Sequence, residues 1–153
     1  IRASLTGHFV YSTLHTNDAP SAITRLTDMG IENYLITSSV VAVLAQRLVR
    51  LICAQCKQPD GRRLAPDGEM VECYRGRGCD HCFGSGYTGR VGIFELMELS
   101  DELRKLIMRN EDASALANVA RRNGMRNLRE DGWMKIAAGQ STVEEVMRVT
   151  QEF

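Results

Sequence analysis

Two Cys-x-x-Cys pairs carry the plainest chemistry in this sequence. They are Cys53-Ala54-Gln55-Cys56 and Cys79-Asp80-His81-Cys82, separated by 22 residues. Two residues between cysteines let one tight turn aim both sulfurs at a single point. Two such turns facing each other supply the four thiolates that Zn²⁺ takes in tetrahedral structural sites. The intervening loop is slightly longer than the roughly 15–20 residues of the usual spacing, which a flexible insert tolerates. With four closed ligands no position stays open for water or substrate, so such a zinc holds structure and does not catalyse. The loop from Lys57 to Gly78 is polar, carries Pro59 and Pro66, and reads as unable to build a core of its own. Metal binding, on the order of 10–16 kcal/mol in zinc-finger peptides, is a substitute for that core.

Competing uses of the sulfurs fit less well. Disulfides suit secreted chains, and the residues show no secretory-signal pattern. A thioredoxin-like redox pair belongs to a βαβ unit, which neither pair occupies. Cys73 is the odd fifth cysteine and reads as a buried or idle thiol. His81 could replace a sulfur, but the cysteines on either side of its pair are better placed.

The chemistry must be carried by elements that the rest of the chain supplies. At 153 residues the chain is one ordinary domain or two small ones. Lys+Arg and Asp+Glu are both 19, and aromatic residues are 6% of the chain. A neutral chain poor in stacking rings argues against a nucleic-acid surface. No apolar run approaches the roughly 20 residues of a membrane span. Five thiols without a secretory signal lead us to expect a reducing cytoplasm. Opening without Met, in Ile1–Leu5 as the tail of an amphipathic helix stopped at Thr6-Gly7, the chain reads as a piece of a longer protein.

His8–Leu14 is rich in β-branched and aromatic residues and predicts a buried strand. His15-Thr16-Asn17-Asp18 is a polar turn, with Asp18 or Asn17 capping a helix that has Pro20 in its first turn and ends at Gly30. A second helix is expected from about Glu32 to Arg47, on the spacing of Leu35, Ile36, Val40, Val43, Leu44 and Leu48. Leu48–Ile52 then predicts a short strand that delivers Cys53. Strand, turn, helix, helix, strand is the rhythm of an α/β sheet, whose working residues gather beyond the strands' carboxyl ends. That rule singles out Thr13, His15 and Thr16. A strand-end histidine is more often a satisfied structural one, and His8, an odd number of positions away, would face the other side.

Gly84-Ser85-Gly86-Tyr87-Thr88-Gly89 has the form G-x-G-x-x-G but precedes a strand, Arg90–Met97, where a dinucleotide fingerprint follows one. Its glycines read as backbone freedom beside the second cysteine pair. From Ser100 onward the pattern is helical: Asp101–Arg109 capped by Ser100, Ala113–Asn123 closed by Gly124, and Leu128–Ala138 closed by Gly139. A last helix is expected behind a Ser141-x-x-Glu144 capping box. Their apolar stripes are ordinary core faces.

Taken together, several blocks resemble the bacterial secretion ATPases, the motors of type II secretion and type IV pilus assembly. Thr6-Gly7-His8-Phe9-Val10-Tyr11-Ser12-Thr13-Leu14-His15-Thr16-Asn17-Asp18 is similar to their histidine box. Leu44-Ala45-Gln46-Arg47-Leu48-Val49-Arg50, the two cysteine pairs, Gly86–Leu96 and Thr142–Thr150 match as well, so the resemblance covers essentially the whole chain. Retraction-type pilus motors generally lack the cysteine loop, which leans the reading to the assembly and secretion branch.

The resemblance implies an α/β fold: the second half of a RecA-like P-loop ATPase core, an inserted tetracysteine zinc subdomain and a C-terminal helical bundle. Residues 1–52 would be the core half, 53–87 the zinc subdomain with Cys53, Cys56, Cys79 and Cys82 as ligands, 88–100 a core strand and 101–153 the helical part. It implies a hexameric cytoplasmic ATPase, peripheral at the inner membrane through its partners, that couples hydrolysis to a membrane platform. His15 would lie near the γ-phosphate as a sensor and His8 matches the first histidine of the box, with no role assigned beyond that, while Gln46 and Arg47 would couple nucleotide to core. ATP and Mg²⁺ belong to the full-length protein. The phosphate loop G-x-x-x-x-G-K-[ST] is absent from these residues, so the piece alone is expected to be inactive. The other reading is a free-standing zinc-stabilised interaction module, since Cys79-x-x-Cys82-x-Gly84-x-Gly86 resembles a zinc knuckle of a DnaJ-type chaperone.

Overall fold

The structure, a computed structural model, describes residues 1–151. It is mixed α/β. Helices α1 (Arg2–Leu5), α2 (Ala19–Asp28) and α3 (Asn33–Ser39) precede strands β1 (Ala42–Ile52), β2 (Lys57–Leu64), β3 (Met70–Gly76) and β4 (Tyr87–Glu98). Helices α4 (Asp101–Met108), α5 (Ala113–Arg122), α6 (Leu128–Ala137) and α7 (Val143–Thr150) follow. Among the described residues the strands form two two-stranded sheets, β1 with β4 and β2 with β3. Glu152 and Phe153, the end of the stretch expected as helical, lie outside the described residues.

The chain gathers into two compact units, Ile1–Ala45 with Glu95–Arg126, and Gln46–Phe94 with the chain from Asn127. In the first, Asp18 caps α2 by accepting the Ser21 N–H at 2.7 Å, and Pro20 sits in the first turn, where its missing N–H costs nothing. Ser100 caps α4 and Asp112 caps α5 in the same way. Helices α2, α3, α4 and α5 turn their apolar faces to one cluster, Ala19, Ile23, Ile36, Met97, Leu99, Leu103, Ile107, Leu116, Val119 and Ala120. Val43 and Ala45 of β1 pack on the same cluster.

The second unit holds the β2–β3 hairpin and helices α6 and α7. The hairpin is antiparallel from Lys57↔Gly76 to Leu64↔Met70, with a bulge between Pro59 and Arg62. Helices α6 and α7 close at Gly132, where any Cβ would collide with Val146. Glu145 of α7 is buried and accepts from the Arg50 backbone N–H at 3.1 Å, the Arg50 guanidinium at 2.6 Å and Arg148 at 2.9 and 3.1 Å. Burial works to raise its pKa, but the two guanidinium groups hold it down at about 2.

Four expectations are corrected. His8–Leu14 is exposed and belongs to no sheet: a β-branched run becomes a strand only where a neighbour accepts its ladder, and none of the described residues does. The helix expected to Arg47 stops at Ser39, and β1 begins at Ala42. Its exposed–inward alternation is strand periodicity, and the apolar residues counted at helical spacing sit on both of its faces. The polar loop after Cys56 is a paired hairpin, because the bulge absorbs the residues around Gly61 that disguise the alternation. Finally, Thr142, not Ser141, caps α7, because the Ser141 hydroxyl is spent on the Arg50 carbonyl at 2.8 Å.

Candidate metal centre and histidine segment

Each cysteine pair is a turn between strands. The first leaves β1 and enters β2, and the second follows β3 and leads to β4. In the first turn the Cys56 N–H reaches the Cys53 carbonyl at 3.3 Å, and in the second the Cys82 N–H reaches that of Cys79 at 3.2 Å. Two further bonds hold the turns in place, Cys53 N–H to Gly86 O at 2.9 Å and Arg77 N–H to Cys56 O at 3.1 Å. Phe83 takes φ of 51° to turn the chain away, and its ring is 95% exposed.

The four sulfurs converge. All lie within 4.8 Å of one another, with Cys53–Cys79 at 3.9 Å, Cys56–Cys82 at 3.8 Å and Cys79–Cys82 at 3.7 Å. A tetrahedron with zinc–sulfur bonds of about 2.3 Å has edges of about 3.8 Å. Cys53, Cys56 and Cys82 are buried, and none of the five cysteines is in a disulfide. The donor set therefore fits a soft divalent ion at a closed site, and all four positions read from spacing contribute to it.

Sulfurs that close together pull one another's ionisation apart. The Thr88 hydroxyl draws the Cys53 thiol below its usual value against the effect of burial. Burial pushes Cys56 up to about 11. At Cys82 burial again works upward, but N–H groups from Cys79 and Gly86, each 3.2 Å from the sulfur, bring it down to about 6. A dication at the centre removes the conflict, since a coordinating thiol gives up its proton outright.

The Gly86 N–H and the Thr88 hydroxyl are contributors that the sequence reading did not assign. Gly86 had its signal in the glycine pattern, read only as backbone freedom. That freedom is also used: φ is 77°, and a Cβ there would lie 2.5 Å from the Gly76 carbonyl oxygen.

The residues expected to face nucleotide are not gathered in this way. His8 is exposed, and its Nδ1 lies 3.0 Å from the Thr6 hydroxyl and 3.2 Å from the Ala3 carbonyl, at the end of α1. His15 is exposed and stands three residues before the α2 cap. With no strand between them, the expected opposite-face relation of the two histidines falls away. Gln46 and Arg47 are successive residues of β1 and project to opposite faces, Gln46 exposed and Arg47 half-buried.

The sequence profile of a family described as Type II/IV secretion system protein matches residues 1–148. The chain belongs to that family. It is 49% identical over 152 residues to the type II secretion system protein HxcR of Pseudomonas aeruginosa, covering 99% of this chain and 30% of the relative. It is 45% identical over 159 residues to the type IV pilus assembly ATPase PilB of Thermus thermophilus, covering 98% and 18%. A type II secretion system ATPase E from Vibrio cholerae is 46% identical over 159 residues, covering 99% and 31%. The chain thus spans about a third or less of these relatives. No helix among the described residues is long and apolar enough to cross a membrane.

Proposed function

We propose that this member of the type II/IV secretion family is the carboxyl-terminal part of a hexameric ATPase. In this reading the ATPase powers type II protein secretion or type IV pilus assembly through an inner-membrane platform, from the cytoplasmic side. The observation that carries it is the family match across residues 1–148, which runs through the cysteine turns and both flanks and joins relatives named as ATPases. A free-standing knuckle module does not account for the flanks. Within the motor, residues 1–52 and 88–100 belong to a RecA-like core, and the zinc subdomain and helical part are its appendages.

Cys53, Cys56, Cys79 and Cys82 hold Zn²⁺ as a structural staple. ATP and Mg²⁺ bind in the full-length protein, where phosphoryl transfer asks the protein for positioning and charge stabilisation. His15 offers a fixed donor near the γ-phosphate, His8 is the first histidine of the same box, and Gln46 and Arg47 link nucleotide to core. With no G-x-x-x-x-G-K-[ST] sequence, these 153 residues alone neither hold ATP tightly nor turn it over.

The test is steady-state ATP turnover of the full-length protein beside the 153-residue piece, with metal content by mass spectrometry. Turnover by the full-length protein only, with one zinc per chain, is expected. Turnover by the purified piece, or none by the full-length protein, defeats the reading.

A further inference from the structure

The inward row of β4 reads Ile93, Glu95, Met97, all buried. A carboxylate in the middle of an apolar row breaks the local pattern, and burying it costs several kcal/mol unless it is hydrogen-bonded. Glu95 is 4% exposed, and its Oε1 accepts the backbone N–H of Ala19 at 2.7 Å. Ala19 is the first residue of α2, whose N-terminal amides have no helical partner. Asp18 serves the Ser21 amide of the same turn, so two carboxylates from distant parts of the sequence hold one helix end.

What that end carries is the His15 turn. From His8 to Asn17 the described chain pairs with no strand, and the Thr16 hydroxyl donates forward to the Asp18 carbonyl at 3.1 Å. On its carboxyl side His15 is tied into the first unit through Asp18 and Ala19. The anchor of that side in the buried row is Glu95.

We infer that Glu95 is a positioning residue for His15. It is a core carboxylate retained to fix where the histidine stands relative to bound nucleotide, an inference that rests on His15 acting on ATP in the full-length motor. Glu95 touches no nucleotide; it acts through the Ala19 amide. A donor displaced by an ångström loses much of its effect on a transition state while ground-state binding changes little, so kcat falls and KM stays.

The experiment is a kinetic cycle in the full-length ATPase with Glu95→Met, which keeps bulk but offers no acceptor, Glu95→Gln, which keeps an acceptor oxygen, and His15→Ala. Glu95→Met is expected to lower kcat about tenfold with KM for ATP within about twofold. Glu95→Gln should restore kcat to within about threefold of wild type. In the His15→Ala background, Glu95→Met should have no further effect, because the two changes act through one group. If Glu95→Met does not fold, Glu95→Asp, which withdraws the carboxylate by one methylene, takes its place in the cycle with the same expectation. Equal loss from Glu95→Met with and without His15, or no loss where His15→Ala is impaired, overturns the inference alone. A silent His15→Ala overturns the reading beneath it, and the inference with it.

Discussion

The cysteine turns and the histidine segment are the two regions of this chain with chemical ambition, and they are built in opposite ways. Around the cysteines every support is local or bonded: two tight turns, a hairpin between them, and N–H groups of Cys79 and Gly86 aimed at one sulfur. The histidine segment has two ends held, by α1 and by α2, and nothing regular between. A metal site of this kind is specified by its own turns and needs only the ion. A histidine in the sensing role proposed for His15 would be specified by where its segment's ends are fixed, and its chemistry would depend on groups well beyond its own turn.

The sharpest way to break that comparison is to remove the metal. Replacing Cys56 or Cys82 by Ser leaves three sulfurs around a dication. A loss of more than about 4 kcal/mol from the second unit is expected, since loss of a metal belongs with the largest single-site effects. Urea unfolding of wild type and variants, with released zinc and free thiols titrated along the curve, measures it. Unfolding that leaves the midpoint unmoved by chelation would show the turns to be self-supporting and the metal incidental.

A smaller effect comes from Gly86→Ala. The new Cβ meets the Gly76 carbonyl at 2.5 Å, and the residue must hold φ of 77°. Backbone faces backbone here, so nothing flexible can give way, and a loss of about 2–4 kcal/mol is expected with weaker zinc retention. Gly68→Ala is the control. Its φ is also positive, 89°, but a Cβ there meets nothing within 4 Å, so about 1 kcal/mol of strain alone is expected. Equal losses from both would assign the effect to φ and not to the close approach.

How much of this was legible in the sequence follows the same division. The cysteine spacing named the four sulfurs that converge because a Cys-x-x-Cys turn is self-contained. The caps at Asp18 and Ser100 were legible for the same reason: the acceptor and the amide it serves lie three residues apart. Strand pairing was not. The strand expected at Leu48–Ile52 is the second half of β1; its first half, Ala42–Arg47, reads as helix because Leu35, Ile36, Val40, Val43, Leu44 and Leu48 also satisfy a helical period, and what decides for strand there is β4, beyond the whole cysteine region. His8–Leu14 shows the mirror case, since composition states a preference for strand and a ladder needs a partner. Glu95 and Glu145 were invisible because a buried carboxylate is recognised by what reaches it, and their donors come from Ala19, Arg50 and Arg148.

Glu145 offers a third test inside the second unit. Its folded pKa, about 2, lies below the ordinary carboxylate value of 4.5. The ionised form is thus favoured by folding, and the associated stability is present above pH 4.5 and lost as pH falls towards 2. Both guanidinium groups are about half exposed, at 48% and 59%, so screening holds the contribution to about 2 kcal/mol. Denaturant midpoints for wild type and Glu145→Gln should differ most near neutral pH and converge at the acid end. A difference independent of pH would assign the role to packing.

The smallest expected effect belongs to the histidines, and it decides whether the opening contrast holds. Among the described residues the His8 ring bonds to Thr6 and Ala3 of its own helix end, and His15 is exposed. Alanine at either position removes no buried surface and orphans no buried group. Stability within about 0.5 kcal/mol of wild type is therefore expected, against the loss of more than about 4 kcal/mol at a cysteine. Thermal unfolding of the two variants measures it. A cost above about 1.5 kcal/mol would mean that the imidazole is packed in solution and that its segment carries stability of its own. A silent change in stability beside a lowered kcat in the proposed full-length ATPase is the opposite signature: a side chain kept for its chemistry, held by ends that do the structural work in its place.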